Sequence, residues 1–335
     1  MKQIIIGIHG LGNKVPAELL KSWWVQSINE GLDKIGKARI NIPFEMAYWA
    51  DIIHDTPLDL TISDKNNPLF VDEPYTKGKS EVRKNGSIIQ DKILKYIEEE
   101  LDKIFLNEDL SINYKGVTDK IMQKYFKDLD IYYRNDSNSK NSNYGFAKEI
   151  IQKRLISLLQ KYKDYKILLI AHSMGSIIAF DVLSNISEEI NINTFITIGS
   201  ALGLPVIVGR IFAEQKAKNV QITKPIAPNC ILGSWFNMSD KYDKIAIDHT
   251  LADDFAPNNL GIFATDISVY NNYEINNEPN PHKSYGYLRT PEIATIINSF
   301  LEQKEKDSYL QKYKTITKLI LAGFDKVKSI FTREK

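Results

Sequence analysis

The sequence predicts an α/β protein, a mostly parallel sheet with helices on both faces. Three observations carry that reading. Short apolar runs alternate with amphipathic segments at the start of the chain and again from residue 145 onward. Strands alternating with helices in this way pair in parallel and are covered on both sides. The apolar run Ile167–Ile170 leads through Ala171-His172-Ser173-Met174-Gly175 into a second apolar segment, Ser176–Leu183, with no linker between them. The chain has 335 residues, of which 43% are hydrophobic, and that length can bury a large core.

Taken in order, residues 3–8 are a strand ending at His9-Gly10-Leu11-Gly12. A helix follows, with Pro16 near its start and Leu19, Leu20, Trp23, Trp24, Ile28 and Leu32 recurring on one side. Residues 42–49 form the second strand. The α/β rhythm then stops, and 51–143 offers Pro-punctuated loops and two helices, near 88–106 and 117–130. That block closes on the polar stretch 135–143, which has no periodicity. It is an insertion, expected over the carboxyl edge of the sheet as a helical cap. The rhythm resumes with a helix over 145–162, the strand 167–170, its helix 176–183, and strands at 194–198, 231–237 and 267–270. A helix from Pro291 to residue 303 ends the core, so the core comprises 1–50 and 144–303. Beyond it, 304–335 is an extra C-terminal amphipathic helix. Tyr309, Tyr313, Ile316, Ile320, Phe324, Val327 and Phe331 make one apolar stripe there, with lysines on the other side. Such a helix packs on its own domain or a twin subunit, or lies on an anionic membrane surface through 309–331.

Composition narrows the functional classes. Basic and acidic residues number 43 and 42, a net charge of +1. No global field draws the chain to nucleic acid. The single cysteine, Cys230, excludes an intrachain disulfide framework and suits a reducing compartment. Ile4-Ile5-Ile6 is too short an apolar stretch for a signal peptide, and no apolar run reaches the roughly eighteen residues of a membrane span. The expected location is cytoplasmic, with peripheral membrane contact as the alternative. Oligomeric state leaves no trace in the sequence.

A serine on a sharp strand-to-helix turn, with small residues two positions to either side, fits a nucleophile elbow. Ala171 and Gly175 take those flanking positions around Ser173. A serine hydroxyl needs a base, and the base needs a third group to hold its tautomer. Chain order on such a fold runs Ser, then acid, then His. Of the five histidines, His9, His54 and His172 precede Ser173. His249 lies in Asp243–Leu251, which reads as helical, and too close to the acid. His282, in the polar loop Asn280–Tyr285, is the expected base. Asp243 is the preferred acid, and Asp240 in the same loop is its rival, with loop bracing as its other role. The oxyanion donors expected are the N–H groups of Met174 and of Leu11, where Gly10 and Gly12 permit close approach. No Gly-x-x-x-x-Gly-Lys pattern supports a phosphate loop. Asp51, His54 and Asp55, or Asp253-Asp254, do not make a zinc ligand set. A mechanism of this kind needs no metal and no cofactor.

Four blocks in order resemble the α/β-hydrolase superfamily: His9–Gly12, Ala171–Gly175, Asn237–Asp243 and Asn280–His282. Within it the chain is most similar to lipase-like serine esterases, including the GPI inositol-deacylase relatives. Thr197–Gly203 adds to the likeness. The resemblance covers 3–303 apart from 51–143. It implies the α/β-hydrolase fold and a serine carboxylester hydrolase acting on a lipid or other acyl ester. Thioesterases, acyltransferases and silent binding proteins share the fold, so substrate is a separate question.

Overall fold

Strand burial explains the architecture of the computed structural model, which describes residues 1–78, 103–108, 110, 112–113, 116–117, 120–133, 147–186 and 189–302. In β1 (Gln3–Ile8) every residue is buried. Ile4, Ile6 and Ile8 face one core and Ile5 the other, as the period-two alternation of a strand demands. A strand apolar on both faces belongs in the middle of a covered sheet. Helix α1 (Ala17–Lys34) follows and buries Leu20, Trp23, Trp24, Ile28 and Leu32. Strand β2 (Phe44–Ala47) then pairs in parallel with β1, Ile5 opposite Phe44. A single helical turn, α2 (Ala50–Ile53), leads away from the sheet.

The chain next leaves the α/β pattern. A short ribbon, β3 (Phe105–Leu106) with β4 (Ile112–Asn113), precedes α3 (Lys120–Tyr133). The main rhythm returns with α4 (Ala147–Lys161), β5 (Lys166–His172), α5 (Met174–Asn185), β6 (Ile192–Ile198), α6 (Pro205–Lys218), β7 (Ile231–Ser239) and β8 (Ala264–Ser268). A two-residue pair, β9 (Glu274–Ile275) with β10 (Glu278–Pro279), leads to α7 (Ser284–Leu288) and to α8 over 291–302.

The sheet order is β2-β1-β5-β6-β7-β8, and all of its pairings are parallel. From β1 the chain steps outward to β2, then crosses to β5 on the other side of β1 and continues away. The reversal falls between β1 and β5, and a crevice opens beyond the carboxyl ends of strands at such a switch point. One core lies under α3, α4, α5 and α6, the other under α1, α7 and α8. Among the described residues no helix is long and apolar enough to cross a membrane.

Several expectations are corrected. The second strand is shorter than 42–49. The helix expected over 88–106 does not reach its end, because Leu110, at φ 62, closes a turn that pairs Phe105–Leu106 with Ile112–Asn113; the rest of that helix lies outside the described residues. The helix expected over 117–130 runs three residues later, as Tyr132 and Tyr133 extend the buried side of Phe126 and Leu129. Asp243–Leu251 is not helical. The Asp243 and Asp248 carboxylates accept the nearby N–H groups of Ile245, Ala246 and Thr250, a local alternative that competes with helix. Helix α6 adds an element to those the sequence predicts, with Pro205 at its first turn as a favoured start. The polar stretch 135–143 and the stripe 309–331 lie outside the described residues.

Phe180, Phe195, Trp235 and Phe255 form one aromatic cluster beneath α5, with ring centroids 5.1–5.9 Å apart. Phe255 is buried and lies on none of the sheet strands. Truncating a buried phenylalanine costs about 3–5 kcal/mol. Phe255→Ala is therefore expected to lower the unfolding free energy by that amount, read as a lower urea midpoint at an unchanged denaturant slope.

Candidate active site

Residue 173 sits where β5 becomes α5, with φ 54 and ψ −128. A non-glycine residue held there costs about 1–3 kcal/mol and persists only when its surroundings over-determine it. They do so here. The Ser173 N–H donates to Ile198 O at 3.1 Å. Its own carbonyl accepts the Ser176 N–H at 2.9 Å and the Ser176 hydroxyl at 2.5 Å. Gly175 has no alternative, since a Cβ there would stand 2.6 Å from His9 O. Ala171 is wholly buried, and its methyl is accommodated.

From this turn the Ser173 Oγ reaches His282 Nε2 at 2.9 Å. His282 Nδ1 lies 2.8 and 2.9 Å from the two oxygens of Asp243. Burial alone would push the Asp243 carboxyl up. The His282 charge, the His282 hydrogen bonds, the Tyr287 hydroxyl and the Ile245 N–H outweigh it and hold the carboxyl below its ordinary value. An ionised Asp243 assigns the proton to Nδ1 and leaves the Nε2 lone pair for the serine hydroxyl. Tyr287 has a fixed sense. Its oxygen accepts the Asp240 N–H at 2.9 Å, so its proton goes to Asp243 Oδ2 at 2.7 Å. The Asp240 carboxylate is occupied elsewhere, accepting the N–H groups of Tyr242 and Asn271 at 2.9 and 2.8 Å. The structure thus brings Ser173, His282 and Asp243 together, and Asp240 braces the loop beneath them.

His282 is held by its backbone. His172 Nε2 donates to His282 O at 2.7 Å, and burial keeps the His172 pKa well below its ordinary value. Asn280 Oδ1 accepts the His282 N–H at 3.0 Å, and Glu73, from the inserted block, pairs with Lys283 at 2.9 Å. His249 takes no part in this row; its carbonyl accepts from Asn237 and Ser239.

The loop after β1 closes over the serine. A Cβ on Gly10 would stand 2.7 Å from Ser173 Cβ, so only glycine allows this approach. His9 Nδ1 donates to Gly10 O at 2.8 Å, and its Nε2 accepts the Trp49 N–H at 3.0 Å. Burial keeps His9 neutral by pushing its pKa well below the ordinary value, in keeping with that division of roles. Lys14 Nζ donates to the carbonyls of Leu11 and Gly12. The Gly12 N–H donates to Asp128 Oδ2 at 2.7 Å. The Leu11 N–H has no partner among the described residues. The peptide is trans, so this N–H points opposite to the tethered Gly10 carbonyl. Met174 opens α5, where first-turn N–H groups have no partner within the helix.

Ser173 and His282 lie on a cleft of about 950 Å³. Val15, Leu20, Trp23, Leu58, Phe70 and Tyr285 give it an apolar side. Leu58 and Phe70 come from the inserted block. Among the described residues, no three His, Cys, Asp or Glu side chains are grouped to hold a metal. Asp51 pairs with Arg154 at 2.8 Å.

Sequence reasoning missed His9, His172, Gly199, Tyr287, Glu73 and Asp128. Gly199 lies in Thr197–Gly203, where a glycine among bulkier residues is the available signal. Its φ is 51, and a Cβ would stand 2.8 Å from Asp243 Oδ2 and 3.3 Å from His282 Nδ1.

A parallel sheet ordered β2-β1-β5-β6-β7-β8, covered by helices on both faces and carrying a serine at the turn after β5, has the architecture of the α/β-hydrolase fold. Residues 90–227 match the family model of lecithin:cholesterol acyltransferase. The match takes in α3, the elbow and α6, and stops before Asp243 and His282. No curated protein matches the chain in sequence. A solved structure, MenH from S. aureus, aligns at 15% identity and a TM-score of 0.26, covering 51% of this chain and 80% of that one.

The Asp243–His282 contact can be checked without any substrate. A downfield proton resonance from His282 Nδ1–H is expected in the wild-type NMR spectrum. Gly199→Ala should erase it while circular dichroism stays the same. A surviving resonance would contradict the crowding at Gly199.

Proposed function

We propose that this protein is a serine carboxylester hydrolase that works through an acyl-enzyme on a lipid or other acyl ester. The 2.9 Å contact between Ser173 Oγ and His282 Nε2, with Asp243 behind the ring, carries the reading. Ser173 attacks the ester carbonyl while His282 Nε2 takes its proton. Asp243 orients the imidazole and balances the imidazolium that forms. The N–H groups of Leu11 and Met174 receive the oxyanion, a kind of contact worth about 10²–10³ in rate per donor. Collapse of the tetrahedral adduct expels the alcohol, which takes the proton from His282. Water, deprotonated by His282, then attacks the acyl-enzyme; the second tetrahedral adduct collapses, Ser173 Oγ leaves with the proton that His282 holds, and the acid is released. The apolar side of the cleft suits an acyl chain, and 51–143 serves as the cap over it.

A second reading rests on one observation. The match over 90–227 is to a family named for acyl transfer from lecithin to cholesterol. It favours an alcohol in the place of water at the second step. Product analysis with added long-chain alcohols separates the two, since transfer gives a new ester in proportion to acceptor.

Fluorophosphonate labelling tests both readings at their shared step. Wild type should label and Ser173→Ala should not, at equal thermal midpoints. Asp243→Asn should slow labelling by about 10⁴-fold, and Asp240→Asn should leave the reactive row in place. Labelling that persists in Ser173→Ala would overturn the assignment, as would a silent Asp240→Asn beside an active Asp243→Asn.

A further inference from the structure

We infer that Asp128 is a positioning residue for the oxyanion loop, so that the inserted block supplies part of the machinery as well as a roof. The inference rests on the proposed hydrolase reading. Asp128 lies on α3, its side chain only 7% exposed, and its carboxylate accepts the Gly12 N–H at 2.7 Å. A hydrogen bond from backbone N–H to a carboxylate is short and about twice as strong as a neutral one. Nothing in β1 or α1 offers Gly12 that acceptor.

The loop is gripped from opposite sides by opposite charges. Lys14 Nζ collects the carbonyls of Leu11 and Gly12, and Asp128 takes the Gly12 N–H between them. His9 fixes the Gly10 carbonyl. Each peptide of the loop is thereby oriented, and the Leu11 N–H is left over for substrate. Asp128 sets the peptide immediately after that donor, and Gly12 is held at φ 80, where any rotation also turns its neighbour.

Helix α3 is itself anchored to the elbow. Tyr132, one turn beyond Asp128, donates to Asp181 Oδ2 at 3.0 Å, and Asp181 lies on α5. Residues four apart share a helix face. One face of α3 therefore ties both halves of the oxyanion site: Gly12 beside Leu11 through Asp128, and the helix begun by Met174 through Tyr132. Phe126 and Leu129 bury the same helix in the core.

The test measures kcat and KM for a short p-nitrophenyl ester, and affinity for an alkyl boronic acid that forms a tetrahedral adduct on the serine. Asp128→Ala is expected to lower kcat and boronate affinity about ten- to hundredfold, with KM within about twofold. Asp128→Asn keeps an oxygen acceptor and should stay close to wild type. Asp128→Glu moves the acceptor by one methylene and should lose kcat. If Asp128→Ala does not fold, the Asn and Glu variants decide: Asn active with Glu impaired supports the inference, and any other pattern overturns it. In a folded Asp128→Ala, unchanged kcat or a loss confined to KM overturns it. A wild type with no reactive serine would sink the hydrolase reading too. A reactive wild type matched by Asp128→Ala would sink the present inference alone.

Discussion

The structure depends on the strained backbone of Ser173. Held at φ 54 and ψ −128, it would relax into ordinary helix or strand geometry if its neighbours allowed. They do not, because β1 presses on it. The His9 carbonyl leaves no room for a side chain at 175, and the Gly10 backbone leaves none between itself and Ser173 Cβ. The turn is thus clamped between two adjacent parallel strands, β1 and β5, and that adjacency follows from burying apolar residues on both faces of each. Core packing and site geometry are one constraint seen at two depths.

Around that clamp the polar groups are assigned with little redundancy. Asp243 accepts from His282, Tyr287, Ile245 and Ala246. Tyr287 reaches it from α7, directly after the loop that carries His282, so Asp243 and His282 are braced by the same short segment. The inserted block enters at two further points, Glu73 beside Lys283 and Asp128 beside Gly12. Both supply a carboxylate to a loop that must hold its shape in a cleft open to solvent. The described parts of this block are thus tied to the two loops beside Ser173.

How much of this the sequence could disclose depends on the range of each interaction. Strands β1 and β5 were readable because four to six consecutive apolar residues have few other homes. Ser173 was readable because its turn needs small residues at fixed short offsets. His282 emerged from chain order and the shortage of histidines. Asp243 against Asp240 could not be resolved locally, since both stand in one loop and only tertiary placement separates them. Residues 243–251 misled because their composition suits a helix while their aspartates satisfy the backbone in turns. Asp128 and Glu73 left no local signal at all: their partners lie 116 and 210 positions away.

His9 and His172 stand beside His282, and electrostatics explains how they avoid working against it. In the proposed mechanism His282 takes the serine proton, and a cation beside it would oppose the imidazolium so formed. His172, with its ring centroid 4.9 Å from that of His282, is kept neutral first by burial and then by the His282 charge. His9 is kept neutral by burial and by Lys14. Each neutral ring still donates from one nitrogen, to His282 O and to Gly10 O. They therefore act as rigid hydrogen-bonding struts, with no charge of their own. Among the described residues, the carboxylate hydrogen-bonded to the His282 ring is that of Asp243, wholly buried and ionised. The ring that faces Ser173 is thus flanked by two neutral imidazoles and backed by a carboxylate, the surroundings that the proposed ester chemistry would use.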